Sequence, residues 1–184
     1  MSAFKKYSIV KFRGELYIVI DFQHVNPGKG QAFTKFKLKN VKSGKTLEET
    51  LKIGAEGLEE VETDRHNMQY LYHDDGNYYF MDNKTYEQVS LDTEILGEQV
   101  KYLKDDQEVI ALFYEDKPVS IELPKKIEYK VVEAPEGVKG DSASGGVTKR
   151  VGLENGLNIP APLFVKEGDI IRVNTETGEY VERV

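Results

Sequence analysis

The sequence predicts an all-β protein assembled from small barrels. Short runs rich in Val, Ile, Tyr, Phe and Thr recur along its 184 residues, separated by compact turn signals such as Arg13-Gly14 and Asp74-Asp75-Gly76. No long helical periodicity interrupts them; only the stretch from Leu91 to Leu103 admits a short helix. Shifts in charge and composition near residue 63 and at Pro124-Lys125-Lys126 then cut the chain into three pieces of small-barrel size.

The elements follow in order. Tyr7 to Phe12 alternates Tyr, Ile and Phe and reads as a strand. Arg13-Gly14 is a turn signal, and Leu16 to Phe22 beyond it is dense in β-branched and aromatic residues. Asn26-Pro27-Gly28-Lys29-Gly30 breaks the pattern, and Ala32 to Leu38 resumes it until Ser43-Gly44. From Ile53 to Thr63 the chain turns acidic and loses alternation, which sets the first boundary. Met68 to His73 and Asn77 to Met81 flank Asp74-Asp75-Gly76 as a hairpin. Val109 to Tyr114 and Pro118 to Leu123 form another. A third set of strands is expected over Ile127 to Val132, Arg150 to Ile159, Leu163-Phe164-Val165, Ile170 to Val173 and Glu179 to Val184. Gly137 to Thr148, rich in Gly and Ser, reads as a connector or a backbone-recognition loop.

Composition excludes several classes of function. There is no Cys, so disulfides, thiolate metal sites and a cysteine nucleophile are ruled out. No apolar run reaches the ~20 residues of a membrane span, and no signal-peptide core follows Met1; a cytoplasmic protein without membrane contact is expected. The net charge of −7 argues against nucleic acid, but its distribution does not. Through residue 47, ten Lys and Arg face only Glu15 and Asp21, so this part carries +8. Residues 48–127 hold twenty acidic and eight basic side chains, a net of −12. A basic head on an acidic body predicts a polyanion-binding first domain.

Catalytic constellations are not found. His24, His66 and His73 have no metal-ligand spacing, and no metal site is expected. Ser43-Gly44-Lys45-Thr46 looks like the end of a phosphate loop, but Lys39 stands where that pattern needs Gly. Gly28-Lys29-Gly30 does not extend into a dinucleotide fingerprint, because Phe33 occupies its last glycine position. Glu59-Glu60 reads as a solvated face. No catalytic residue, cofactor or enzymatic activity is therefore expected.

The one sharp feature is Pro27-Gly28-Lys29-Gly30. Pro27 fixes the chain entering a turn, and Gly28 and Gly30 permit positive φ on either side of Lys29. A lysine between two glycines has no adjacent side chains to hold it back, so it is presented outward.

The surrounding residues extend this motif. Phe22-Gln23-His24-Val25-Asn26-Pro27-Gly28-Lys29-Gly30-Gln31-Ala32-Phe33, with Lys37-Leu38-Lys39-Asn40 and Ser43-Gly44, resembles the first domain of bacterial elongation factor P. Arg65-His66-Asn67-Met68-Gln69-Tyr70-Leu71-Tyr72 and Phe80-Met81-Asp82 resemble the opening of that family's second domain. Gly140-Asp141-Ser142-Ala143-Ser144-Gly145-Gly146 and the run from Gly168 to Tyr180 resemble its third. Ser142 stands where many members have Thr, which keeps the hydroxyl. Asn26 replaces a frequent Lys before the proline, and Lys29 occupies a position that is Arg in some members.

The resemblance implies three consecutive barrels. An SH3-like (KOW-type) domain bearing the lysine tip would span 1–63, a strongly acidic OB-fold domain 64–126, and a second OB-fold domain 127–184, together L-shaped like transfer RNA. It implies a factor that binds the ribosome between the P and E sites and relieves stalling at consecutive prolines by positioning the peptidyl-tRNA. Lys29 would reach toward the peptidyl-transferase centre and be extended by a lysine-modifying enzyme through β-lysylation or aminopentanol addition, or left unmodified; the sequence does not choose. Lys35, Lys37, Lys39 and Lys42 would contact RNA backbone. Gly140, Asp141 and Ser142 would lie near the small subunit and the E-site codon. Expected partners are both ribosomal subunits with their rRNA and the P-site peptidyl-tRNA, with the factor acting as a monomer. Without the resemblance, a general single-stranded nucleic-acid-binding OB-fold protein would be the alternative.

Overall fold

A computed structural model describes residues 4–52, 57–136 and 147–184. It is all-β apart from one short helical stretch, and its strands form three five-stranded antiparallel sheets. The first contains β1 (Ile9–Phe12), β2 (Glu15–Val25), β3 (Phe33–Asn40), β4 (Thr46–Lys52) and β5 (Leu58–Glu60), in the order β4-β3-β2-β1-β5. The second contains β6 (Asp64–Asp74), β7 (Asn77–Asp82), β8 (Gln88–Asp92), β9 (Glu108–Tyr114) and β10 (Lys117–Glu122), ordered β10-β9-β6-β7-β8. The third contains β11 (Lys126–Glu133), β12 (Thr148–Leu153), β13 (Asn158–Pro162), β14 (Ile170–Asn174) and β15 (Tyr180–Arg183), ordered β13-β12-β11-β14-β15. Edge strands approach each other in the second sheet (β8 and β10) and in the third (β13 and β15), which curls both toward barrels.

Two-residue turns close the hairpins. Arg13 and Gly14, Asp75 and Gly76, and Glu115 and Asp116 all have positive φ at both central positions, the conformation whose twist matches that of paired strands. The helical stretch foreseen over Leu91–Leu103 is a four-residue helix α1 (Thr93–Leu96), capped by Asp92, followed by a 3-10 turn Gly97–Tyr102.

Three readings from the sequence change. Arg150 to Ile159 is two strands, because Gly156 N–H bonds Leu153 C=O and Leu153 N–H bonds Leu157 C=O, folding the run into a hairpin. Leu163-Phe164-Val165 is a turn, with Val165 N–H donating to Pro162 C=O. The strands β4, β5 and β8 were not foreseen; β5 lies inside the acidic stretch and pairs with β1, Lys11 opposite Glu59.

The chain divides into two compact units, residues 1–97 with 110–122, and 98–109 with 123–184. In the first, Val10, Phe12, Tyr17, Val19, Phe36 and Leu38 form the core of the first sheet. Ile9 and Ile18, on the opposite face of the same strands, pack with Leu112 and Val119 of β9 and β10. β1 is thus buried on both faces, which explains why Ile9 and Val10 are adjacent and both apolar. At the β3–β4 turn, Gly44 (φ +67°) comes so close to Glu94 that an added Cβ would lie 2.6 Å from its Oε2. In the second unit, Tyr102 joins a core of Ile127, Tyr129, Val131, Val151, Leu153 and Ile171. The buried Tyr129 hydroxyl donates to the Tyr102 carbonyl, and burial raises its pKa. Among the described residues, no helix is long and apolar enough to cross a membrane.

Candidate functional site

The candidate site grows from the β2–β3 hairpin. β2 is eleven residues long and its buried positions end at Val19; Asp21, Phe22, Gln23 and His24 are all exposed. Its pairing with β1 begins at Ile9↔Ile18, extended by a bond from Tyr7 N–H to Val19 C=O of 2.7 Å. Pairing with β3 continues through Phe22↔Phe36, Gln23↔Lys35, His24↔Thr34 and Val25↔Phe33. β4 supports the other edge of β3 as far as Phe33↔Lys52. At ~3.3 Å per residue the stretch from Val19 to Val25 carries the ribbon roughly 20 Å past the last buried residue of β2. His24 Nδ1 and Thr34 Oγ1 join the two strands below the tip at 2.9 Å. Lower down, Phe4 meets Phe36 edge-on at 5.2 Å, and Lys6 bonds Asp21 at 2.9 Å, holding that carboxyl below its ordinary pKa.

The loop Asn26–Ala32 caps this ribbon, with Lys29 exposed at its middle. Gly30 has φ +115°, a conformation essentially closed to L side chains. Gly28 does not: its φ lies outside that region and an added Cβ would meet nothing within 4 Å. Of the two glycines that permit positive φ beside Lys29, only Gly30 adopts it. The loop turns at Gly30, where the nearest atom to an added Cβ is Pro27 Cγ at 3.8 Å.

The four lysines expected to meet RNA do not form one patch. Lys35, Lys37 and Lys39 alternate with buried Phe36 and Leu38, so all three project from the outer face of β3. Lys35, nearest the tip, stands between Gln23 and Thr50. Lys37 stands between Asp21 and Glu48, two carboxylates in register with it. A shallow depression of about 530 Å3 over these residues is accordingly zwitterionic rather than basic. Lys39 is half-buried, its ammonium 4.0 Å from where a Cβ on Gly97 would stand. Lys42 is exposed in the β3–β4 turn, whose Lys42 and Ser43 N–H groups bond Asn40 Oδ1. That turn begins at Asn40, roughly 17 Å along the strand from Lys35. Gly140, Asp141 and Ser142 lie outside the described residues.

Sequence reasoning missed the carboxylates of β4 because it missed the strand. Thr46, Glu48, Thr50 and Lys52 face out while Leu47, Glu49 and Leu51 face in. Glu49 in the inward row hid the period; it pairs with Arg13 at 3.1 Å. What the hairpin offers chemically is an exposed lysine amine group with three donors at the end of a paired ribbon, suited to binding anionic or carbonyl oxygens.

Three family models match the chain in order. "Elongation factor P (EF-P) KOW-like domain" covers residues 1–56, "Elongation factor P (EF-P) OB domain" 63–121, and "Elongation factor P, C-terminal" 127–183. The chain belongs to the elongation factor P family. Elongation factor P of Moorella thermoacetica is 48% identical over 174 residues, covering 95% of this chain and 93% of that protein. That of Alkaliphilus metalliredigens is 46% identical, covering 98% and 97%, and that of Bdellovibrio bacteriovorus 43% identical, covering 100% and 96%. The first sheet is thus the KOW-like domain, and the second and third sheets are OB-type domains. The protein is a translation elongation factor, which implies association with the ribosome, and not an enzyme.

Proposed function

We propose that this elongation factor binds the ribosome between the P and E sites and restores peptide-bond formation on ribosomes stalled at consecutive prolines. The observation that carries the reading is Lys29, exposed on a loop at the end of a ribbon that extends beyond its own core. Proline is a rigid secondary amine and reacts poorly in peptide transfer. An ammonium delivered along the tRNA acceptor end contributes by orientation, which supplies up to ~7–11 kcal/mol in favourable cases. Rescue of a stall needs only part of that. The factor itself makes and breaks no bond.

The proposal includes the P-site peptidyl-tRNA and rRNA of both subunits as partners. It also includes a modifying enzyme that extends Lys29 by a β-lysyl or aminopentanol group where such an enzyme is present. It places the monomer in the cytoplasm, with domains at 1–63, 64–126 and 127–184. Gly140, Asp141 and Ser142 are assigned to the small-subunit side near the E-site codon. The exposure of Lys35 and Lys42 supports them as phosphate contacts; Lys37 and Lys39 act at shorter range, because the first is flanked by carboxylates and the second is half-buried.

The test is a reconstituted translation assay comparing Pro-Pro with Phe-Phe bond formation. Lys29→Ala keeps wild-type melting and ribosome occupancy but loses the acceleration of Pro-Pro synthesis. Full retention of that acceleration overturns the proposal.

A further inference from the structure

The outer face of the second sheet carries a feature that the Lys29 tip does not use. In β6 the register shifts between Tyr70 and Tyr72, leaving Leu71 as an extra residue. This bulge sends Tyr70 into the core and Tyr72 to the outer face, opposite Tyr79. The two rings stack with centroids 4.6 Å apart and planes 18° apart, and Tyr72 is 49% exposed. A stacked pair of tyrosines half in water is a partly exposed aromatic platform.

The charged positions on the rungs around it have one sign. Three rungs of this face run across β6, β7 and β8: Asp74-Asn77-Asp92, Tyr72-Tyr79-Ser90 and Gln69-Met81-Gln88. None of these nine positions is Lys, Arg or His. Asp74 accepts a hydrogen bond from the Tyr79 hydroxyl and, with Asp75, holds that phenol above its ordinary pKa. The acidic end is held in place: Thr93 N–H and Oγ1 both donate to Gly76 C=O at 2.7 Å, and Asp92 Oδ1 accepts Glu94 N–H at 2.6 Å.

We infer that the Tyr72–Tyr79 face with Asp74 and Asp92 docks an arginine-bearing basic segment of a partner protein. A guanidinium plane stacks on an exposed tyrosine ring and, unlike a hydrocarbon, gains from carboxylates beside it. An RNA base would also stack, but its phosphates would meet Asp74, Asp75 and Asp92 with no cation among the nine positions of these rungs. Charge complementarity therefore selects a cationic peptide.

The experiment titrates the full chain with the peptide acetyl-Gly-Arg-Gly-Arg-Gly-amide and follows the tyrosine ring resonances by NMR. It is independent of the role of Lys29, because no ribosome is present. Tyr72 and Tyr79 resonances shift saturably, and the citrulline version of the peptide, neutral but of the same shape, leaves them in place. Tyr72→Phe, which keeps the ring, binds within about two-fold of wild type, and Tyr72→Leu weakens binding by about five-fold or more. Asp74→Asn weakens it as well. Circular dichroism confirms that each variant is folded. Equal binding of the citrulline peptide, unchanged affinity for Tyr72→Leu, or tighter binding of a uridine octanucleotide to the same rings overturns the inference.

Discussion

Replacing the two tip glycines one at a time separates loop shape from loop composition. Gly30 sits at φ +115° and Gly28 does not, while neither position is crowded: an added Cβ meets Pro27 Cγ at 3.8 Å in one case and nothing in the other. The cost of Gly30→Ala is therefore backbone strain alone, about 1–3 kcal/mol for an L residue in that region. The loop is exposed, so the chain escapes the strain by rearranging locally rather than unfolding. Melting then changes little, while the ratio of native to rearranged tips falls by about 5- to 150-fold, since ~1.4 kcal/mol is a factor of ten. Gly28→Ala carries no such strain and stabilises by up to ~1 kcal/mol through the unfolded chain. The assay is Pro-Pro bond formation at limiting factor concentration, with melting temperature alongside. Gly30→Ala loses most of its acceleration and Gly28→Ala keeps it within about two-fold, which matches the strain difference. Equal activity of the two variants, in either direction, refutes the reasoning.

Two further outcomes follow from side-chain electrostatics. The hydrogen bond from His66, followed by the N–H groups of Lys84 and Thr85, lowers the Asp82 carboxyl from 3.8 to about 2. A depressed folded pKa means its stabilisation is complete above the unfolded value and is lost as pH falls from about 4 toward 2; Asp82→Asn, which still accepts the two N–H bonds, flattens the melting profile over that window. For ribosome binding, Lys35→Gln and Lys42→Gln each reduce the slope of log affinity against log salt by about one unit, as expected for a phosphate contact. Lys39→Gln changes it least, because that ammonium is held beside Gly97.

Much of the fold was legible wherever one face of a strand meets water. Met68 to His73 and Asn77 to Met81 alternate around a turn whose Asp75 and Gly76 take positive φ, and the hairpin lies where those residues indicate. Legibility failed at β4, where a glutamate on the inward row is neutralised by an arginine from the β1–β2 turn. A partner that distant in sequence leaves no local signal. It failed again at β5, whose three residues gain their order from β1. The tip was legible in composition but not in conformation: Gly-Lys-Gly is symmetric, and only the folded loop distinguishes Gly30 from Gly28. The charge count likewise predicted a basic first domain without revealing that Asp21 and Glu48 sit in register with Lys37.

The central claim, that the Lys29 tip reaches the peptidyl-transferase centre, is open to a direct spatial measurement. The chain has no cysteine, so Lys29→Cys provides a unique thiol for tethering iron–EDTA, and Lys42→Cys provides a control at the far end of β3. Hydroxyl radicals generated on ribosomes stalled at consecutive prolines report which RNA lies nearby. From position 29, scission falls on the acceptor end of the P-site tRNA and on large-subunit rRNA at the peptidyl-transferase centre; from position 42 it falls elsewhere. Scission from position 29 confined to other sites, or identical to that from position 42, contradicts the account.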